Sequence, residues 1–172
     1  NKLCEYKNSN LYVGFSGGVD SCVLLYVLKK LNFNVNAIHV NHGLQADASA
    51  FEAFCDNFCT KYKIPLSIFR GAVVADENGG IEQAARKFRY NCFEKMNSNG
   101  IIVLGHHLTD QVETILFRAI RGTGISGLSA MKMKSQRKGN VILRPLLDIS
   151  KTLIIEYAQK NKIEWIEDKT NL

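Results

Sequence analysis

The six residues Ser16-Gly17-Gly18-Val19-Asp20-Ser21 have the composition and order of a phosphate cradle. They follow a short apolar run, Leu11 to Phe15, and lead straight into an apolar stretch with helical spacing. Paired glycines let the chain turn sharply and leave backbone N–H groups pointing outward as an anion-binding nest. The helix that begins there adds the positive end of its dipole, and Ser16 and Ser21 add hydroxyl donors. An acid in such a loop is compatible with phosphate only when a cation bridges the two, so Asp20 points to Mg²⁺. The bland alternative is a strand–turn–helix junction in which glycine serves tightness alone.

A second constellation is Gly105-His106-His107-Leu108-Thr109-Asp110-Gln111-Val112-Glu113-Thr114. Asp110 and Glu113 stand three apart, share a helix face and can converge on one ligand. Two carboxylates near a phosphate need a cation, either Mg²⁺ or an ammonium group. Their bland role is to complement a helix N-terminus. For His106 and His107 two readings stand: one of the pair packs under the strand end and bonds the backbone, or His106 lines a nucleotide or base pocket. His39 and His42 follow another apolar run, but neither pair has a cysteine or carboxylate at zinc-ligand spacing. The five cysteines (Cys4, Cys22, Cys55, Cys59, Cys92) contain no C-x-x-C and read as free thiols of a reducing compartment.

The formal charge of +6 is unevenly spread. From Arg118 to Arg144 there are seven basic residues and no acid. Arg118, Arg121, Lys132, Lys134 and Arg144 are the residues expected to meet an RNA backbone, against the plainer reading of a solvated loop. A Walker A loop is absent. Gly122-Thr123-Gly124-Ile125-Ser126-Gly127 matches G-x-G-x-x-G but follows a helical pattern, the reverse of the dinucleotide fingerprint.

The elements that must position these residues follow from hydrophobic period. Strands are expected at 11–15, 35–40, 65–69, 101–104 and 141–143, with an edge strand at 163–166. Helices are expected at 19–31, 48–62, 81–96, 108–120 and 150–160, the last N-capped by Ser150. Gly122 to Lys138 reads as an irregular loop. Apolar strands alternating with helices imply parallel pairing, hence an α/β, doubly wound, mainly parallel sheet with helices on both faces and ligands at the strand carboxyl ends. At 172 residues one domain is expected, and no apolar run reaches the roughly 20 residues that span a bilayer. The polar first ten residues do not read as a signal peptide, so a cytoplasmic protein is expected.

The Ser16–Ser21 string resembles the pyrophosphate loop of the N-type ATP pyrophosphatases, which cleave ATP between its α and β phosphates. Further strings narrow the match: His39-Val40-Asn41-His42-Gly43-Leu44, the His106–Thr114 run, Gly127-Leu128-Ser129-Ala130-Met131, Arg144-Pro145-Leu146-Leu147, and Trp165-Ile166-Glu167-Asp168 with Thr170-Asn171. Together they resemble the tRNA(Ile)-lysidine synthetase family, from the first strand to the last residues. The resemblance implies a ligase that adenylates C2 of the wobble cytidine in a CAU anticodon and then joins lysine there, releasing pyrophosphate and AMP. It implies ATP on Ser16, Gly17, Gly18, Val19, Asp20, Ser21, His39 and His106, with Mg²⁺ on Asp20. It implies L-lysine on Asp110 and Glu113, and Arg89, Asp110 and Asp20 as catalytic groups. Family members continue into C-terminal tRNA-gripping domains, so 1–172 is expected to be the catalytic domain alone; a homodimer stays open. Asn41 stands where relatives often carry histidine. A tRNA thiolase would show C-x-x-C pairs, an amidotransferase-type synthetase would lack the His-His-x-x-Asp-Gln-x-Glu-Thr string, and an ATP sensor would not need the paired acids.

Overall fold

A computed structural model of the chain describes residues 3–43, 48–74, 80–96, 100–122 and 129–167. After a 3-10 turn at Cys4–Tyr6 the order is β1 (Asn10–Gly14), α1 (Val19–Lys30), β2 (Asn34–Asn41), α2 (Ala48–Tyr62), β3 (Leu66–Arg70) and α3 (Gly80–Met96). There follow β4 (Ile101–Val103), α4 (Leu108–Ile120), β5 (Lys134–Arg137), β6 (Asn140–Leu143) and α5 (Lys151–Lys160). The six strands form one sheet in the order β3-β2-β1-β4-β6-β5. Every neighbouring pair is parallel except the β5–β6 hairpin. The mainly parallel α/β architecture expected from the alternation is the one observed.

Side-chain alternation along the strands builds two cores. Leu11, Val13, Val35, Ala37, Val103 and Leu143 face α1, α2 and α5, where Cys22, Leu25, Leu28, Phe58 and Ile154 meet them. Ile38, Ile102, Leu104 and Ile142 face the other way, onto Tyr90 and Phe93 of α3. Helix α1 is apolar nearly all round because it lies between the sheet and α5. Helix α4 differs: Leu108, Val112, Ile115, Leu116, Phe117 and Ile120 are all exposed, and it has no buried residue.

The strand order reverses between β1 and β4, the chain leaving β1 toward β2 and returning on the other side. Loops on either side of such a reversal diverge and leave a crevice. Residues 15–18 after β1 and 104–107 after β4 border it.

Two sequence expectations are corrected. The stretch Gly122–Lys138 is not irregular throughout, because Lys134–Arg137 forms β5. The signal lay in Lys138 (φ 45°) and Gly139 (φ 82°), whose paired positive φ values make the two-residue turn that matches strand twist. Arg137 and Lys138 then tie the hairpin to Glu94 of α3 at 3.2 and 2.9 Å. Ile163–Ile166 forms no edge strand. Helix α5 packs against α1, so the segment after it arrives above the start of α1, far from either sheet edge, and Ile166 N–H donates to Gly17 O at 3.0 Å. Leu44, residues 123–128 of the G-x-G-x-x-G stretch and the 168–171 end of the last string lie outside the described residues.

Leu25 is fully buried at the centre of the larger core. Leu25→Ala is expected to cost about 2–5 kcal/mol, through lost burial and an unfilled cavity. Urea unfolding followed by circular dichroism should show a lower midpoint with an unchanged slope.

Candidate active site

The loop after β1 is held with its carbonyls turned inward. Gly17 O accepts Ile166 N–H at 3.0 Å and the Cys22 thiol at 3.2 Å. Gly18 O accepts Cys22 N–H at 3.0 Å and Ser21 Oγ–H at 2.9 Å. With the Gly18 carbonyl turned inward, the Val19 N–H on the far side of that peptide plane points out, while Gly18 N–H donates to Ser16 Oγ at 3.3 Å within the loop. Gly17 sits at φ +89°, and a Cβ there would come within 2.9 Å of Ile166 Cγ2 and 3.2 Å of Phe54 Cδ1, so glycine is required twice over. Ser16 Oγ and Ser21 Oγ stand 3.2 Å apart at the mouth of the nest. Val19 is buried and anchors the helix start rather than facing the crevice.

The second constellation closes over this loop. A Cβ on Gly105 would lie 3.3 Å from the Asp20 carbonyl carbon, so the β4–α4 turn rests directly on the first turn of α1. His107 caps α4: its Nδ1 accepts Thr109 N–H at 3.2 Å, and Asp110 Oδ2 accepts His107 N–H at 2.7 Å. The backbone donor fixes Nδ1 as the acceptor nitrogen, which leaves the ring proton on Nε2. That nitrogen lies 3.6 Å from Asp20 Oδ1, and His107 Nδ1 lies 3.7 Å from Asp110 Oδ2. Asp20 and Asp110 therefore flank one buried imidazole. Glu113 is exposed one turn further along α4.

Around His106 the field is positive. Burial and the Arg144 guanidinium push its pKa down to about 4, with Arg86 and Arg89 adding to the effect. Its Nδ1 is buried without a hydrogen-bond partner among the described residues, as is Nδ1 of His42. Arg89 Nη2 lies 3.4 Å from His42 Nε2, and His42 meets the Phe88 ring edge-on. Burial also lowers the His42 pKa, with Arg89 as the next cause. Neutral imidazoles with unspent nitrogens beside exposed guanidiniums suit an anionic, hydrogen-bonding ligand such as a nucleotide. His39 is committed differently: it is buried, its Nδ1–H donates to Phe15 O at 2.9 Å, and burial lowers its pKa.

A family model described as the PP-loop domain matches residues 1–172. The chain belongs to the PP-loop domain family. It is 43% identical over 163 residues to a tRNA(Ile)-lysidine synthase of Actinobacillus pleuropneumoniae, covering 94% of this chain and 38% of that protein. It is 42% identical over 165 residues to a protein of the same name from Pseudomonas aeruginosa, covering 92% of this chain and 37% of that one. This chain thus spans well under half the length of these relatives. Among solved structures, a U34-tRNA thiolase from Methanococcus maripaludis superposes with a TM-score of 0.74 at 22% identity, over 94% of this chain and 59% of that one. An NH3-dependent NAD synthetase from Campylobacter jejuni gives 0.58 at 16%, over 93% and 68%. At those identities the structural likeness concerns the PP-loop fold alone.

The other expected positions of this PP-loop chain divide clearly. Arg118, Arg121, Lys132 and Lys134 are at the surface. Arg121 lies over the Phe117 ring, and Lys134 pairs with Glu5 at 3.5 Å. Arg144 is buried instead, its Nη1 donating to Lys132 O and Ser135 Oγ, both at 3.0 Å. It braces the β5 hairpin and biases His106 rather than facing outward. The core cysteines are held as thiols: burial raises the pKa of Cys22, Cys55, Cys59 and Cys92.

Two residues escaped the sequence reading. Gln111 clamps the Met131 backbone through both amide atoms, at 2.9 and 2.7 Å, and so ties α4 to the segment before β5. Lys151 Nζ lies 2.6 Å from Asp20 Oδ2. Nothing local betrays the Gln111 clamp. Lys151 did carry a signal, because a cation at the first position of a helix opposes the dipole and needs an acid nearby.

The His106 shift has a definite sign. Above pH 6.5 the imidazole is neutral in both folded and unfolded chains; between 6.5 and about 4 only the unfolded chain takes up the proton. Stability attributable to His106 is therefore intact at neutral pH and falls, by about 1–3 kcal/mol, as pH drops through that window. His106→Gln should flatten this part of a stability-versus-pH curve, and the His106 resonances should titrate near 4 rather than near 6.5.

Proposed function

We propose that this PP-loop domain carries the ATP and lysine sites of a tRNA(Ile)-lysidine synthase acting in the cytoplasm. Beside the sequence likeness, one geometric observation supports the reading: Asp20 of the phosphate loop and Asp110 of the paired acids lie 3.6 and 3.7 Å from the two nitrogens of His107. An activating nucleotide and an incoming amine would then be held within one side chain of each other.

In this reading the glycine loop, the Val19 N–H at the start of α1 and the Ser16 hydroxyl hold the phosphates of ATP, with Ser21 bracing the loop through Gly18 O. The site fits Mg²⁺, since Asp20 Oδ1 is buried without a hydrogen-bond partner among the described residues and Mg²⁺ needs only one or two carboxylates when phosphates complete its shell. Bound there, Mg²⁺ would neutralise charge on the departing pyrophosphate. His39 would frame the adenosine side through its position rather than its Nδ1, and His106 would use its unspent nitrogen on the nucleotide or the base.

The C2 oxygen of the wobble cytidine attacks the α-phosphorus and pyrophosphate leaves, which converts a poor leaving group into a good one. Asp110 and Glu113 receive the side-chain or α-ammonium of lysine. Asp110 spends Oδ2 on the His107 backbone, so its second oxygen is the one placed to take a proton from the attacking amine. The free amine adds to C2 and AMP departs. Arg89, exposed beside His42, offsets the negative charge that develops. Arg118, Arg121, Lys132 and Lys134 face the RNA backbone, with Arg144 acting only by holding the segment of Lys132 and Lys134 in place.

The deciding assay uses the full-length protein with ATP, Mg²⁺, labelled lysine and a CAU-anticodon isoleucine tRNA. Label should enter tRNA with one AMP and one pyrophosphate released per lysine, and Glu113→Ala should raise the lysine KM more than the ATP KM. Pyrophosphate release without lysine transfer would retain the adenylating site but send the search to another nucleophile. For the RNA face, Lys132→Glu combined with Arg121→Glu should weaken tRNA binding and reduce its salt slope by about one for each phosphate no longer neutralised. An unchanged slope would mean that these cations are merely solvated.

A further inference from the structure

Lys151 has no part in the reaction just described, and the fold treats it as an exception. It opens α5 directly after the N-cap Ser150, whose Oγ accepts Leu153 N–H at 3.3 Å. No Lys or Arg stands in the first turn of α1, α2, α3 or α4, whereas their last turns carry Lys29, Lys30, Lys61, Lys95 and Arg118, where the dipole favours a cation. Lys151 stands at the opposite pole. What holds it is Asp20 Oδ2 at 2.6 Å, across 131 residues of chain. The pair is only partly buried, with side-chain exposures of 40% for Lys151 and 22% for Asp20, so the ammonium is free to leave.

The same carboxylate is the group that suits a divalent cation. Lys151 holds Oδ2 while a divalent cation would take the unpartnered Oδ1, and two cations on one carboxylate repel each other, so arrival of the metal loosens the lysine. A four-carbon stem rooted at the crevice edge can then carry the charge elsewhere, and the nearest demand is the phosphate nest. We propose that Lys151 is an exchangeable cation of the phosphate loop: it neutralises Asp20 before nucleotide arrives, and passes to the phosphates when a divalent cation takes the carboxylate. The proposal rests on the reading of Ser16–Ser21 as an ATP site with a metal on Asp20.

The exchange gives two effects of opposite sign. Without Lys151 the empty loop should hold a divalent cation more tightly, because a competitor is gone. The loaded loop should hold phosphates less tightly, because a partner is gone. A merely structural residue would weaken both.

The test compares the wild-type protein with K151M and K151R. Mn²⁺ binding is read by electron paramagnetic resonance without nucleotide, and ATP and pyrophosphate binding by calorimetry in saturating Mg²⁺. K151M should bind Mn²⁺ about threefold more tightly and ATP and pyrophosphate about tenfold more weakly, with K151R close to wild type for both phosphates. Equal ATP affinity in K151M, or Mn²⁺ affinity that does not rise, overturns the exchange. Should K151M fail to fold, wild-type protein with ¹³C-methylated lysines answers the question. The Lys151 resonance should move with Mg²⁺ alone and again with pyrophosphate, and a resonance indifferent to both overturns the proposal. A wild-type protein that binds neither ATP nor pyrophosphate overturns the nucleotide reading itself, whereas wild-type binding that K151M matches defeats Lys151 alone.

Discussion

Everything at the strand carboxyl ends depends on how closely two backbones approach: the loop after β1 and the turn after β4. Gly105 brings the second within van der Waals reach of the Asp20 peptide, and the inward carbonyls of Gly17 and Gly18 keep the first from relaxing outward. A side chain at Gly105 would press on the Asp20 peptide and push the β4–α4 turn off the first turn of α1 by a few tenths of an ångström. The nest would persist, but the acids of α4 would no longer share an imidazole with the acid of α1. The site is thus a consequence of close packing before it is one of chemistry.

Electrostatics then divide the crevice. On one side Asp20 lies between Lys151 and His107, at the meeting point of three helix N-termini that themselves favour negative charge. On the other side His106 and His42 are kept neutral by burial and by the guanidiniums around them. Proton acceptors and anion-binding groups therefore sit in adjacent but different fields.

The phosphate loop, the paired acids and the parallel sheet were legible because each rests on local pattern. A Ser-Gly-Gly-x-Asp-Ser string at a strand end has few other uses, and apolar strands alternating with helices have few other folds. The β5 hairpin was missed because β5 itself is short and polar, and Lys-Gly is a weaker turn signal than Asn-Gly. The edge strand read at Ile163–Ile166 was wrong for a different reason. Its apolar residues are needed, but against the loop at Gly17 rather than in a ladder.

The amino-acid order by itself determined the nest, the helix face shared by Asp110 and Glu113, and the excess of positive charge between Arg118 and Arg144. These follow from backbone freedom, helical period and composition, which act over a few residues. Only the tertiary structure decided that Arg144 turns inward and that His39 spends its Nδ1 on the backbone. It alone decided that Lys151 reaches back to Asp20 and that one histidine touches both acids. The Lys151–Asp20, His107–Asp20 and His39–Phe15 contacts join residues far apart in the chain, and their geometry is set by where the sheet reverses and how α5 returns over α1.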